Sequence, residues 1–98
     1  NNMLEHNGLA LNLSNASVTF SDSTEELTKN EYKILHTLME NAGRIVSRNS
    51  LMDSLWQSDS FIDDNTLTVN INRLRKKLEA MGADGYIKTQ KGQGYMVP

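Results

Sequence analysis

The 98-residue chain contains no cysteine, which excludes disulfide staples and thiolate metal sites and leaves the redox compartment open. Its two histidines, His6 and His36, fall on different segments, and neither has the neighbours of a metal ligand or a catalytic base. Paired carboxylates spaced for acid–base work are missing, and Gly92-Gln93-Gly94 is too short to cradle a phosphate. No apolar run approaches the ~20 residues of a membrane span, and no secretory signal pattern opens the chain. The absences argue against an enzyme, a cofactor, a metal site or a membrane protein. What remains is a soluble, cytoplasmic domain, of a length that suits one core and is too short for two.

Charge is scarce in one sense and concentrated in another. The formal net charge is −2, yet residues 1–64 carry four Lys/Arg against ten Asp/Glu, and residues 65–98 carry six against two. The second part is therefore at +4 and the first at −6. A ligand within a Debye length of the basic part responds to the local field more than to the total.

The basic part opens with the longest helical pattern, Asp63 to Gly82. Leu67, Ile71, Leu74, Leu78 and Met81 recur at steps of three and four and form one apolar stripe. Asp64 is the expected cap of the first turn, Gly82 the expected end, and Arg75, Lys76 and Lys77 lie where positive charge complements the helix dipole. On the opposite face a hundred degrees per residue gathers Asn65, Val69, Asn72, Arg73 and Lys76, with Thr66, Asn70 and Lys77 beside them. A solvated basic face is the plain reading of such an arc. Its composition points further: Arg suits guanine edges or phosphates, Asn suits adenine edges or phosphates, and the aliphatic Val69 suits a thymine methyl.

The rest of the chain supplies a frame for that helix. Residues 1–27 alternate apolar and polar around Asn7-Gly8, Ser14-Asn15 and Ser21-Asp22-Ser23, a pattern of antiparallel strands joined by turns, with His6 on the solvated side. Thr28 to Glu31 is a capping box with Leu27 as its staple, starting a helix whose buried face is Tyr32, Leu35, Leu38, Met39 and Ala42 and which ends near Gly43. After Ile45-Val46, Ser47 caps a shorter helix with Leu51, Met52, Leu55 and Trp56, and a polar loop from Gln57 to Ile62 leads to the long helix. Beyond Gly82, residues 85–89 and 95–97 read as two strands around a flexible, basic tip, residues 90–94. The expected architecture is α+β: an N-terminal antiparallel sheet (1–27), a three-helix core (28–82) and a C-terminal hairpin (83–98) in one domain, with the second and third helices as a helix-turn-helix and the hairpin as its wing.

These segments match a family. Leu27-Thr28-Xaa-Xaa-Glu31-Tyr32-Xaa-Ile34-Leu35, Val46-Ser47-Arg48, Leu51-Xaa-Xaa-Xaa-Leu55-Trp56, Asp64-Asn65-Thr66-Leu67, Ile71-Xaa-Arg73-Leu74-Arg75-Lys76-Lys77-Leu78 and Thr89 to Tyr95 run in order at family spacing, so the chain resembles the effector domain of OmpR/PhoB-type response regulators. The resemblance implies sequence-specific binding of promoter DNA by a winged helix. It places a base-reading arginine on Arg73, an apolar thymine contact on Val69, backbone contacts on Trp56, Thr66, Asn70, Asn72 and Arg75, and wing contacts on Thr89 and Lys91. Asn65, Lys76 and Lys77 complete the expected interface. Many members carry Arg at the position of Asn65, His at Asn70, a basic residue at Asn72 and Arg at Lys91; the amides and the lysine here remove charge or bidentate geometry. The Asp63 to Asn70 segment resembles the subgroup that controls resistance to bacitracin, nisin and related peptides. Such regulators also carry a phosphorylated receiver domain that pairs two copies and answers to a sensor histidine kinase, and no segment here is long enough to be one. The 57–62 loop resembles the one that family members present to RNA polymerase.

A second class of function is a winged helix that binds a protein partner and no DNA. The basic helix face, with Lys88 and Lys91 on the wing, favours DNA.

Overall fold

Asn7 and Gly8 both take positive φ, 51° and 83°, the backbone that a two-residue hairpin turn requires. They reverse the chain between β1 (Met3–His6) and β2 (Leu9–Asn12). In this computed structural model, which describes residues 2–56 and 63–98, β3 (Ser17–Phe20) and β4 (Ser23–Glu26) extend the meander into a four-stranded antiparallel sheet of order β1-β2-β3-β4. Residues 57–62 and the Trp56 side chain lie outside the described residues. Leu9, Leu11 and Val18 project from one face of the sheet and are fully buried.

Against that face packs α1 (Lys29–Glu40), which begins with the expected capping box: the Glu31 N–H donates to Thr28 Oγ1 and the Thr28 N–H donates to Glu31 Oε1. Such a cap is worth ~1 kcal/mol. Ile34, Leu35, Leu38 and Met39 are its buried face, with Tyr32 and Ala42 packed at the margin. α2 (Arg48–Trp56) follows, its first turn held by Ser47 Oγ, which accepts from the Ser50 N–H at 3.1 Å. α3 (Asp64–Ala80) completes the core with Leu67, Ile71, Leu74 and Leu78.

Three expectations are corrected. Asp63, not Asp64, caps α3: its side chain accepts from the Thr66 N–H at 2.8 Å, and Asp64 is already the first helical residue. The terminal strands are shorter and lie nearer the tip than expected, as β5 (Lys88–Gln90) and β6 (Gly94–Met96). Tyr86 and Ile87 are buried before the hairpin begins, and the Tyr86 hydroxyl donates to the His6 carbonyl at 2.8 Å. His6 accordingly leaves the solvated side: it shares a face with Leu4, meets the Tyr86 ring edge-on and bonds the Pro98 carbonyl through Nε2. The end of α3 is as expected. Gly82, at φ 101°, donates to the Glu79 carbonyl and the Ala83 N–H reaches the Leu78 carbonyl, which closes the helix with both orphan carbonyls satisfied.

The wing is tied to the core at its root. Val46 forms an antiparallel bridge with Tyr95, exchanging N–H···O bonds of 2.8 and 3.0 Å. Gly94 permits this approach, since a Cβ there would lie 2.0 Å from the Val46 carbonyl oxygen. Among the described residues no helix is long and apolar enough to cross a membrane.

Candidate nucleic-acid interface

The buried stripe of α3 fixes its rotation about its own axis, and the rotation decides what faces out. Leu67 and Leu74 are fully buried, Ile71 and Leu78 nearly so, each worth ~1.5–3 kcal/mol relative to exposure. The opposite arc of Asn65, Val69, Asn72, Arg73 and Lys76 is exposed. Val69 is 41% exposed. It is an aliphatic side chain held in water by a helix whose core contacts are complete without it.

Three residues expected beside that arc are turned elsewhere. Thr66 is half-buried. Asn70 is only 7% exposed and donates through Nδ2 to the Thr66 carbonyl at 2.9 Å, so its amide folds back along α3. Lys77 is the clearest departure. Its ammonium lies 2.7 Å from Glu31 Oε1 and 2.9 Å from the Glu26 carbonyl. Glu31 is 1% exposed, so the lysine neutralises a buried carboxylate that also belongs to the α1 capping box. Losing one partner of such a pair leaves the other charge buried alone, at ~3–5 kcal/mol. Lys77 therefore works as a scaffold group, joining α3 to α1, rather than as part of the exposed arc.

On the other flank α3 meets the wing. Arg75 is half-buried, lies 5.6 Å from the centre of the Tyr95 ring and donates to Thr89 Oγ1. Arg48 lies over the same ring at 5.6 Å. Its Nη1 donates to the Tyr95 hydroxyl at 2.6 Å, its Nη2 to the Asp64 carbonyl and Thr68 Oγ1 at 2.9 and 2.8 Å, and its Nε to Asp64 Oδ1 at 3.2 Å. One guanidinium thus joins the starts of α2 and α3 to the wing, with cation–π attraction of ~0.5–2 kcal/mol added to the hydrogen bonds. Sequence reasoning passed over Arg48 as a positioning residue; the signal was that it is the only cation in α2. Thr89 and Lys91 are exposed on the hairpin, and an open cleft of about 460 Å³ between the starts of α2 and α3 and the wing brings Lys91 and Gln93 to the same opening as Asn49 and Asp64. At the start of α3 the hydrogen bonds from Thr66 hold the Asp63 carboxyl below the usual aspartate range.

A helix anchored on one face, an amide-and-arginine arc on the other, and a basic hairpin beside its first turns form a winged helix. The family model described as "Transcriptional regulatory protein, C terminal" matches residues 22–97. The chain belongs to that family. As a member it is a DNA-binding domain of transcription regulators of the OmpR/PhoB effector type and not an enzyme. It is 49% identical over 89 residues to the sensory transduction protein BceR of Bacillus subtilis (strain 168), a match covering 91% of this chain and 38% of that one. The C-terminal domain of the nisin resistance regulator NsrR, a lantibiotic response regulator, superposes with a TM-score of 0.84 at 40% identity, over 96% of this chain and 95% of that one. The RstA DNA-binding domain of Klebsiella pneumoniae, solved in complex with the RstA box, superposes with a TM-score of 0.80 at 27% identity, over 99% and 97%. The chain spans 31% to 38% of the length of the first curated relatives it matches.

Proposed function

We propose that this chain is the effector module of a cytoplasmic two-component response regulator and reads promoter DNA with α3 in the major groove and the hairpin on the adjacent backbone. The exposed Val69, set between Asn65, Asn72 and Arg73 on the arc opposite the buried stripe, carries this reading. It gives a groove-facing helix an apolar contact for a thymine methyl beside a fork of donors for guanine. Arg73 is the base-reading residue. Asn65, Asn72 and Lys76 contact the backbone from α3, together with Trp56 at the end of α2. Thr89 and Lys91 do so from the wing, with Arg75 holding Thr89 in place.

Likeness to BceR and to the nisin resistance regulator supports a role in the transcription of genes that resist cell-envelope peptide antibiotics. A receiver domain that pairs two copies, a sensor histidine kinase that phosphorylates it, and RNA polymerase engaged through residues 57–62 complete the proposed circuit. The test is selection of duplexes from a random pool by the purified chain, followed by a titration across salt. A recovered consensus whose binding weakens with salt supports the reading; no enrichment, with binding to a protein partner instead, would replace it by an interaction module.

A further inference from the structure

The flank of α3 that faces away from the wing carries a second basic groove. Thr66, Asn70 and Arg73, spaced four and three apart, line one wall of an open groove of about 410 Å³, and Thr28, Lys29 and Asn30 at the start of α1 line the other. Among the described residues no acidic side chain lines it. Lys29 and Arg73 are exposed, and neither is in an ion pair among the described residues. The neighbouring carboxylate, Glu31, is buried and already neutralised by Lys77. The capping box satisfies the N–H groups of Thr28 and Glu31, and the side-chain charge that the α1 wall of the groove offers a ligand is that of Lys29.

We infer that this groove seats the phosphate backbone of the same duplex that α3 reads, with Lys29 as a phosphate contact outside the helix-turn-helix and the wing. The inference rests on the DNA-binding reading above. A helix with its side chains is ~10–12 Å across and the major groove ~12 Å wide, so a helix that fills the groove brings its two flanking elements to the two strands that border it. One flank of α3 is the wing. The other is the start of α1, and the only cation that the groove takes from that element is Lys29. A lysine suits this place, since a phosphate needs a point charge on a long stem more than it needs bidentate geometry. Neutralising one more phosphate releases about one more counterion, without adding sequence preference.

The experiment compares Lys29→Gln, Lys29→Arg and Lys33→Gln with the unaltered chain on a duplex selected by that chain from a random pool, and on a scrambled duplex, across a salt series. Lys33 is one turn further along α1 and does not line the groove. Expected is a loss of roughly five- to tenfold for Lys29→Gln at ~0.1 M salt, similar on both duplexes, with the slope of log K against log salt smaller by ~0.9. Lys29→Arg should keep the original slope, and Lys33→Gln should match the unaltered chain. An unchanged slope in Lys29→Gln, or equal losses in the two glutamine variants, would overturn the site while leaving the DNA-binding reading intact. Failure of the unaltered chain to bind any duplex would overturn both.

Discussion

The two sheets of this molecule use the same antiparallel hairpin for opposite purposes. Residues 1–28, which hold the four-stranded sheet, contain four acidic residues (Glu5, Asp22, Glu25, Glu26) and no Lys or Arg, whereas residues 85–98, which hold the wing, contain Lys88 and Lys91 and no acid. The first sheet buries a full face of aliphatic side chains and can therefore stand on its packing. The wing has three-residue strands, too little apolar area for independent stability. It is held by the Val46 bridge, by the close approach at Gly94 and by the Arg48 and Arg75 contacts with Tyr95. On the reading proposed above, the acidic sheet stays clear of a polyanion and the basic wing meets it. The difference teaches that net charge is a poor guide to this molecule, because function depends on which element carries which sign.

The comparison breaks most completely at the root of the wing. Gly94→Ala places a methyl group where the Val46 carbonyl stands. We expect a loss of several kcal/mol, on the order of the largest single-substitution effects, read as a lower thermal midpoint together with loss of duplex binding. A melting curve like that of the unaltered chain would show that the wing is not anchored there. Next in size is the effect of pairing. With −6 on the scaffold half and +4 on the reading half, one copy should bind a half-site weakly, and two copies joined through receiver domains should gain ~10²–10⁴ in avidity without any new contact. The full-length phosphorylated regulator should therefore far exceed this chain on a two-site duplex, and should lose the advantage when ~5 base pairs, half a helical turn, are inserted between sites. Indifference to the insertion would defeat the idea.

Smaller effects sharpen the same contrast. Arg73→Ala should cost ~1–3 kcal/mol on the selected duplex and relax the preference at one base position; an equal loss on scrambled DNA would make Arg73 a phosphate anchor only. Lys91→Ala should weaken all duplexes alike and reduce the salt slope by about one, while Glu25→Gln, on the acidic sheet, should leave that slope unchanged. The smallest effect concerns the α3 cap. The Asp63 carboxyl is held below its ordinary range by hydrogen bonds from Thr66, so its contribution is present above the unfolded aspartate value and is lost as acid titrates it through the lowered folded one. Asp63→Asn, which keeps an acceptor oxygen, should flatten the dependence of the thermal midpoint on pH below ~4 and change little at neutral pH.

Much of the site could be read directly along the chain. The spacing of Leu67, Ile71, Leu74 and Leu78 dictates which side of α3 faces out, and Val69 and Arg73 follow from that rotation alone. Lys77 shows where such reasoning stops. Its position on the helix is compatible with an exposed basic arc, and only the arrival of Glu31, forty-six residues away in sequence, turns its stem towards α1. Arg48 was hidden for a similar reason, because its partners Asp64, Thr68 and Tyr95 come from α3 and the wing.

What the sequence by itself determined are features set by neighbours within one or two turns: the Asn7-Gly8 hairpin, the Thr28–Glu31 capping box, the apolar stripe of α3 and its stop at Gly82. Helix period and turn stereochemistry act over a few residues, so a local string specifies them. The tertiary structure decided the rest: that Asp64 bridges to Arg48 while Asp63 caps, that His6 meets Tyr86, that Val46 bridges to the wing at Tyr95, and that Lys29 and Arg73 face one groove. Each of these depends on the distance between segments far apart in the chain. Long side chains choose partners only after the core has brought those segments together, and burial then makes the choice costly to reverse.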